Sequence, residues 1–493
     1  MPTRPPSPDL VTRPSEQDPV VHAASEVVGG PIGRYAAPLV HGVRQTAALL
    51  AAAAALPMGL AVVERAHCLG SGWSTPDQFW HLCFSDLPAT YKDSGLSVGL
   101  GPFLTGGSGA PSVGQPPLTA LVMSGLAQLV PDGTSAQRML WYFGLWAALA
   151  AVLIAVSVWW TAMSVPRFPL RAAHLALSPV VVLTVVVAPD VLGVALVAGG
   201  LWAWGRSRLV LAGVLLGLAV SARTYPVLIL LAMLLVSLRA GRLRPWLQSA
   251  GAVLATVVVV VGGLLVLNPA AALAAYRGWA GAGAGFGSLW VLPQLAGYPL
   301  PPGAVTTFAV LGWVAALVTG ALLALAAPRR PTVAEVSLVM VTIVLVTGKS
   351  VPVQSSLWLV PLVALVGLAW RDHLVWAGAE TLHFVAVWLY VAAISVPDRG
   401  LPAGWYAFFL GLRLTGMLWL VNRTWRISRS RWPDLREEAD GLRRSAEQQG
   451  SSLDPGLLAA LQAADEQSAL QLEPDELAGP LRGARDQLIV RVG

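Results

Sequence analysis

Apolar runs of bilayer-spanning length alternate with short polar turns over most of this chain. The first covers about 45–63, and a polar stretch then continues to Gln115. Further apolar segments begin near Pro117, Leu140, Ala172, Asp190, Leu209, Pro226, Leu247, Val305, Val336, Gln354, Leu374 and Trp405, about thirteen in all. A hydrocarbon core about 30 Å thick needs about 20 apolar residues of helix, so the pattern predicts an all-α, polytopic transmembrane helical bundle.

Composition agrees. Hydrophobic residues make up 55% and charged residues 12%, against about 25% charged in soluble domains, and the mean hydropathy is +0.65. The net charge of +6 does not indicate nucleic acid, because the arginines sit mainly between apolar segments and after Trp425. That is the positive-inside signal of membrane orientation. Residues 1–43 are rich in Pro, Ser and charge and read as a disordered cytoplasmic lead-in. Residues 44–424 form the transmembrane region, with a first extracytoplasmic loop at 65–115, and 425–493 form a cytoplasmic tail. Within the tail, 433–449 and 455–470 carry helical patterns, read as lying on the inner membrane surface.

Cytoplasmic ends on both sides require an even number of crossings. The segment 117–130 is the weakest candidate, about 21 Å long at 1.5 Å per residue. If it is re-entrant or interfacial, about twelve crossings remain, and Arg167/Arg171, Arg206/Arg208, Arg239/Arg242/Arg244, Arg329/Arg330 and Arg371 all fall inside. The loop carrying Asp86, the turns at Asp190 and at Arg223, the Gly- and aromatic-rich loop 268–303 and the turn 348–354 then gather outside.

Candidate chemistry lies on that outer face. Cys68 and Cys83 are the only cysteines, and they bracket a short loop three residues before Asp86. Cysteines closing a loop indicate an oxidising compartment, and a disulfide of this span contributes about 3 kcal/mol. The alternative is two free thiols and an acid on a solvated loop. Only Lys92 and Lys349 are lysine among 32 basic residues, and both fall outside, against the positive-inside bias. A compact ammonium suits a phosphate, and interfacial snorkelling is the alternative.

Other polar residues have two readings each. Glu380 and His383 share a helix face, either as a functional pair or as a mutual hydrogen bond that locks packing, which we favour. Asp190 is either catalytic or the cap of the helix it precedes. Asp77 reads as a solvated loop charge rather than a second acid. Tyr276, Trp279, Phe286 and Trp290 line a sugar or polyprenyl groove or form an aromatic belt. The seven histidines are scattered and neither cysteine has ligand spacing, so no metal signature is read. No phosphate-cradling GxxxxGK[ST] is present, which argues against an ATP-driven pump.

The runs Ser85-Asp86-Leu-Pro-Ala-Thr-Tyr91, Asp190-Val-Leu-Gly-Val-Ala-Leu, the segment from Ala212 to Arg223-Thr-Tyr-Pro226, Lys349-Ser-Val-Pro-Val-Gln354-Ser-Ser-Leu-Trp358 and Glu380-Thr-Leu-His-Phe-Val-Ala-Val-Trp388 recur in order. Together, over about 45–425, they resemble the actinobacterial polyprenol-phosphate-mannose-dependent mannosyltransferases of the GT-C superfamily, glycosyltransferase family 87. The chain departs from that pattern in having arginine at 223 in place of lysine, Ala-Pro before Asp190, Gln115 in place of glutamate, and Pro352-Val-Gln354 in place of Ser-Pro-Gln.

The resemblance implies a plasma-membrane hexosyltransferase with an extracytoplasmic site and no cofactor beyond its lipid-linked donor. Mannose would pass from a polyprenyl phosphate to a hydroxyl of a lipid or glycan acceptor, with inversion. Asp86 would be the general base, and Lys349 and Arg223 would serve the leaving phosphate. Gln354 and Asp190 would bind donor, and Lys92, Glu380 and His383 are secondary candidates. The competing readings are an arabinofuranosyltransferase using the analogous donor and a lipid or small-solute transporter. A transporter should carry paired broken helices in two halves, and the Asp86 loop has no second copy.

Overall fold

In the computed structural model, which describes residues 42–107, 109–429 and 476–490, every regular element is helical. The lead-in and the tail helices expected at 433–449 and 455–470 lie outside the described residues. Among those described, six helices are long and apolar enough to cross a membrane: Val43–Glu64, Ser135–Ser164, Leu243–Leu267, Pro302–Ala326, Trp370–Ser395 and Ala403–Arg429. Seven shorter apolar helices, Pro117–Ala127, Pro169–Thr184, Val191–Gly205, Leu209–Ala222, Pro226–Arg239, Val333–Thr347 and Val353–Val366, account for the other predicted segments. Length and composition thus mark six candidate spans where the pattern predicts about twelve. Three of the short helices start on proline, at Pro117, Pro169 and Pro226, where its missing N–H is no loss. Several are nearly engulfed by protein, Val191–Gly205 and Val333–Thr347 most completely.

Close packing depends on small residues. A Cβ on Gly213 would lie 2.3 Å from the Ser249 carbonyl oxygen, and one on Gly217 would lie 2.6 Å from Thr256 Cβ. This Gly-x-x-x-Gly face lets Leu209–Ala222 lie directly against Leu243–Val257, as small residues do where helices have no hydrophobic force to join them in lipid.

The bundle has two chemically distinct ends. At one, Asp486 pairs with Arg239 at 2.8 Å and Arg330 at 2.7 Å, and Arg242 donates to the Pro480 carbonyl. Glu476 accepts from the Arg167 backbone N–H. Residues 476–490 therefore bind the arginine loops rather than forming a separate region. The opposite end carries Asp86, Asp190, Arg223 and Lys349. Pro117–Ala127 starts and finishes there. Gln115 before it bonds Arg223 at 2.7 Å, and Arg138 after it donates to the Ser97 carbonyl.

Two stretches read as loops are partly helical. Residues 65–115 contain Ala66–Ser71, Asp77–Trp80, Asp86–Asp93 and Leu100–Thr105. The loop 268–303 opens with the helix Pro269–Gly281, capped by the Asn268 side chain, which accepts from the Ala271 N–H. Their polar or glycine content masked short helices that tertiary contacts hold in place.

Candidate active site

Asp86 is placed by its own segment. Cys68 and Cys83 are joined, with Cα atoms 5.9 Å apart, and the chain leaves Cys83 directly into Ser85. The Ser85 hydroxyl donates to the Val186 carbonyl at 2.8 Å and accepts from the Leu87 N–H, capping Asp86–Asp93. The Asp86 N–H donates to the Val187 carbonyl at 2.8 Å, which brings the carboxylate to the chain just before Asp190. Burial and the like charge of Asp190 push its pKa up to about 6, with Arg223 opposing. A carboxylate so shifted is suited to taking a proton near neutral pH.

Asp190 and Arg223 form one unit. Arg223 Nε and Nη2 donate to the two Asp190 oxygens at 2.9 and 2.8 Å, a bidentate pair, and Trp358 Nε1 donates to Oδ1 at 2.9 Å. Asp190 therefore makes no capping bond to the helix that follows it; its oxygens are committed to the guanidinium and the indole. Tyr225 stacks on Trp358 with centroids 4.5 Å apart.

Lys349 is buried to 1% exposure. Its Nζ donates to the carbonyls of Ala280 and Ala282 at 3.2 and 3.0 Å and to Thr306 Oγ1 at 2.7 Å. It also lies 4.3 Å from the Trp279 ring centroid. Among the described residues no carboxylate pairs with it, so its charge is met only by neutral dipoles and a π face. A cavity of about 540 Å³ joins Lys349 to Arg223, walled by Tyr225, Tyr276, Trp279, Trp313 and Trp358. Asp86, Asp190 and Gln354 are not in its wall; Asp86 couples to it through the charge of Arg223. Gln354 is buried in the turn Val353–Trp358 that presents Trp358.

The remaining candidates separate. Lys92 is exposed near the end of Asp86–Asp93 and does not line the cavity. Glu380 is buried, but its partner is not His383. Its oxygens accept from Arg413 Nε at 2.9 Å, Ser356 Oγ at 2.6 Å and Trp376 Nε1 at 3.1 Å. Neither His383 ring nitrogen hydrogen-bonds a described residue. The one-turn spacing gives a shared face, but the helix sets that face toward Arg413. Arg413, which sequence reading passed over, also donates to the Val351 and Pro352 carbonyls and so clamps the chain running from Lys349 to Trp358. An arginine inside an apolar segment was the signal.

Tyr276 and Trp279 line the cavity, whereas Trp290 donates to the Thr347 carbonyl at 2.8 Å and stacks on Phe308. The Phe286 carbonyl accepts from the Tyr406 hydroxyl. Gly287 lies so close to the Val351 carbonyl that a Cβ would meet it at 1.8 Å. Only glycine permits the loop to seal against the Lys349 turn.

The scattered histidines also converge in part. His67, Asp77 and His81 form one cluster beside the disulfide, so Asp77 is not an isolated solvated charge. Compared with models of protein families and with curated proteins, the chain matches none.

Proposed function

We propose that this protein is a membrane-embedded glycosyltransferase that uses a polyprenyl-phosphate sugar, mannose by the resemblance in its motifs. The observation that carries the reading is the cavity between Arg223 and Lys349, which combines two cations with aromatic and aliphatic walls. A lipid phosphate needs both: an apolar channel for its first isoprene units and cations where the leaving phosphate gains charge. On this reading the Asp86 carboxylate removes the acceptor hydroxyl proton. The acceptor oxygen bonds to the anomeric carbon as the bond from that carbon to the phosphate oxygen breaks, and the polyprenyl phosphate leaves with the electron pair. One base opposite the leaving group accounts for inversion, and no second carboxyl is required because phosphate leaves without protonation.

Lys349 would exchange a neutral carbonyl partner for a phosphate oxygen. Asp190 would hold Arg223 through Nε and Nη2, and Nη1 would exchange Gln115 for a phosphate oxygen. The gathering of the arginine loops at the end opposite the site supports, by the positive-inside rule, a site outside the membrane and arginine loops within the cytoplasm. The return of Pro117–Ala127 to its starting end supports about twelve crossings rather than thirteen.

The test is transfer of labelled mannose from polyprenyl-phosphate-mannose in membranes. Wild type should transfer, and Asp86→Asn should lose about 100-fold or more, the scale of a missing general base. Equal transfer by the two proteins would remove Asp86 from the chemistry.

A further inference from the structure

His67, Asp77 and His81 lie ten and four residues apart in a segment that the disulfide folds back on itself. His67 Nε2 is 2.7 Å from Asp77 Oδ2. His81 Nδ1 is 3.2 Å from Asp77 Oδ1 and 3.1 Å from the Asp77 carbonyl oxygen. The two imidazoles stack with centroids 3.4 Å apart and planes 14° from parallel. One potential ligand atom from each residue falls within a single sphere of contact, all within 4.8 Å of one another.

Tetrahedral zinc with bonds of 2.0–2.1 Å sets its ligand atoms about 3.3 Å apart. An imidazole binds in its ring plane, so the two stacked rings must turn out of their parallel arrangement for their nitrogens to converge on one ion with Asp77. The backbone is already fixed. His67 adjoins Cys68, and the Cys83 N–H donates to the Gln78 carbonyl at 3.0 Å. Trp80, between Asp77 and His81, donates from Nε1 to the Arg399 carbonyl at 2.8 Å and lies under the Arg399 guanidinium.

The geometry points to a zinc site formed by His67, Asp77 and His81, with a fourth position open to solvent. The two imidazoles are borderline nitrogen ligands that favour zinc over calcium or magnesium, which take sets of oxygens, and the carboxylate is a ligand zinc also accepts. The side chains are 37%, 34% and 45% exposed, so an ion enters directly from solution and a water completes its shell. The site stands apart from the proposed donor cavity, whose wall includes none of His67, Asp77 and His81. Zinc here ties Ala66–Ser71 to Asp77–Trp80 in parallel with the disulfide, and so braces the platform from which Asp86 projects.

The experiment uses the full chain purified in detergent, stripped with a chelator, returned to chelator-free buffer at neutral pH and titrated with zinc chloride by calorimetry. One zinc per chain is expected, together with a rise in Tm. His67→Gln and His81→Gln should each weaken binding about ten-fold or more, and the double variant should lose it. Asp86→Asn should bind zinc as wild type does. The double variant is checked for a closed disulfide by thiol counting and for its elution volume, so that misfolding is not mistaken for ligand loss. Equal zinc binding by wild type and a folded double variant would overturn the proposal. So would the absence of binding by wild type, or equal binding of calcium.

Discussion

Asp190 and Glu380 each hold a buried arginine, and the two pairs differ in what their loss would do. Glu380→Ala would leave Arg413 uncompensated inside the bundle, a change that costs about 3–5 kcal/mol and should appear as a large fall in Tm. Lys349→Met removes a cation that has no carboxylate partner among the described residues. It should weaken donor binding at least ten-fold while moving Tm far less, and a competition assay with polyprenyl phosphate checks it. Asp86 adds a pH signature. Its pKa is raised from 3.8 to about 6, so the fold favours the protonated acid. That stabilisation is whole below about pH 4 and is lost as pH climbs through 6. Asp86→Asn should therefore melt higher than wild type at pH 7.5, with the gap closing at acid pH. With Asp86 as the proposed base, transfer by wild type should rise with pH through a midpoint near 6, because a base acts only when ionised. Asp86, Arg223 and Lys349 were legible as polar residues at turns that orientation charge placed together. Their partners were not: Asp190 reaches Arg223 across 33 positions, and Glu380 reaches Arg413 across another 33. Only the rotation of packed helices decides such pairs.

Apolar periodicity located the helices well, and all thirteen segments reappear, yet it said little about which neighbours they would choose. Leu209–Ala222 shows why. Its Gly213 and Gly217 lie four apart in plain view, but their role depends on the backbone of Leu243–Val257 arriving against them. Gly213→Leu would drive a side chain into the Ser249 carbonyl and separate the two helices. The variant should unfold at a markedly lower temperature in detergent than Gly251→Leu, whose Cβ position has nothing within 4 Å. Polarity also misled in the first loop, where His67 and Asp77 belong to short helices too weak to form alone and His81 directly follows the second of them. A histidine abutting a cysteine-closed segment, with an acid and a second histidine inside it, was the available sign.

The whole bundle is polarised, with arginine loops and the segment 476–490 at one end and the disulfide and cavity at the other. Because both cysteines are paired, any added cysteine is the lone free thiol. Tyr298→Cys, at a position 77% exposed, should react with an impermeant maleimide on intact cells. Ser207→Cys, exposed between Arg206 and Arg208, should react only after permeabilisation. The reverse pattern would invert the orientation. Ala403–Arg429 runs between the two ends and is gripped at its middle and near its last turn. Arg413 holds the Val351 and Pro352 carbonyls, and the Ile427 carbonyl accepts from Arg329 beside Glu335. Such a rod makes the pocket poorly separable from its scaffold. Attempts to change what the cavity binds by varying its lining residues alone should meet strong epistasis with positions 356, 380 and 413. Productive variants will be those that change the wall and its clamp together.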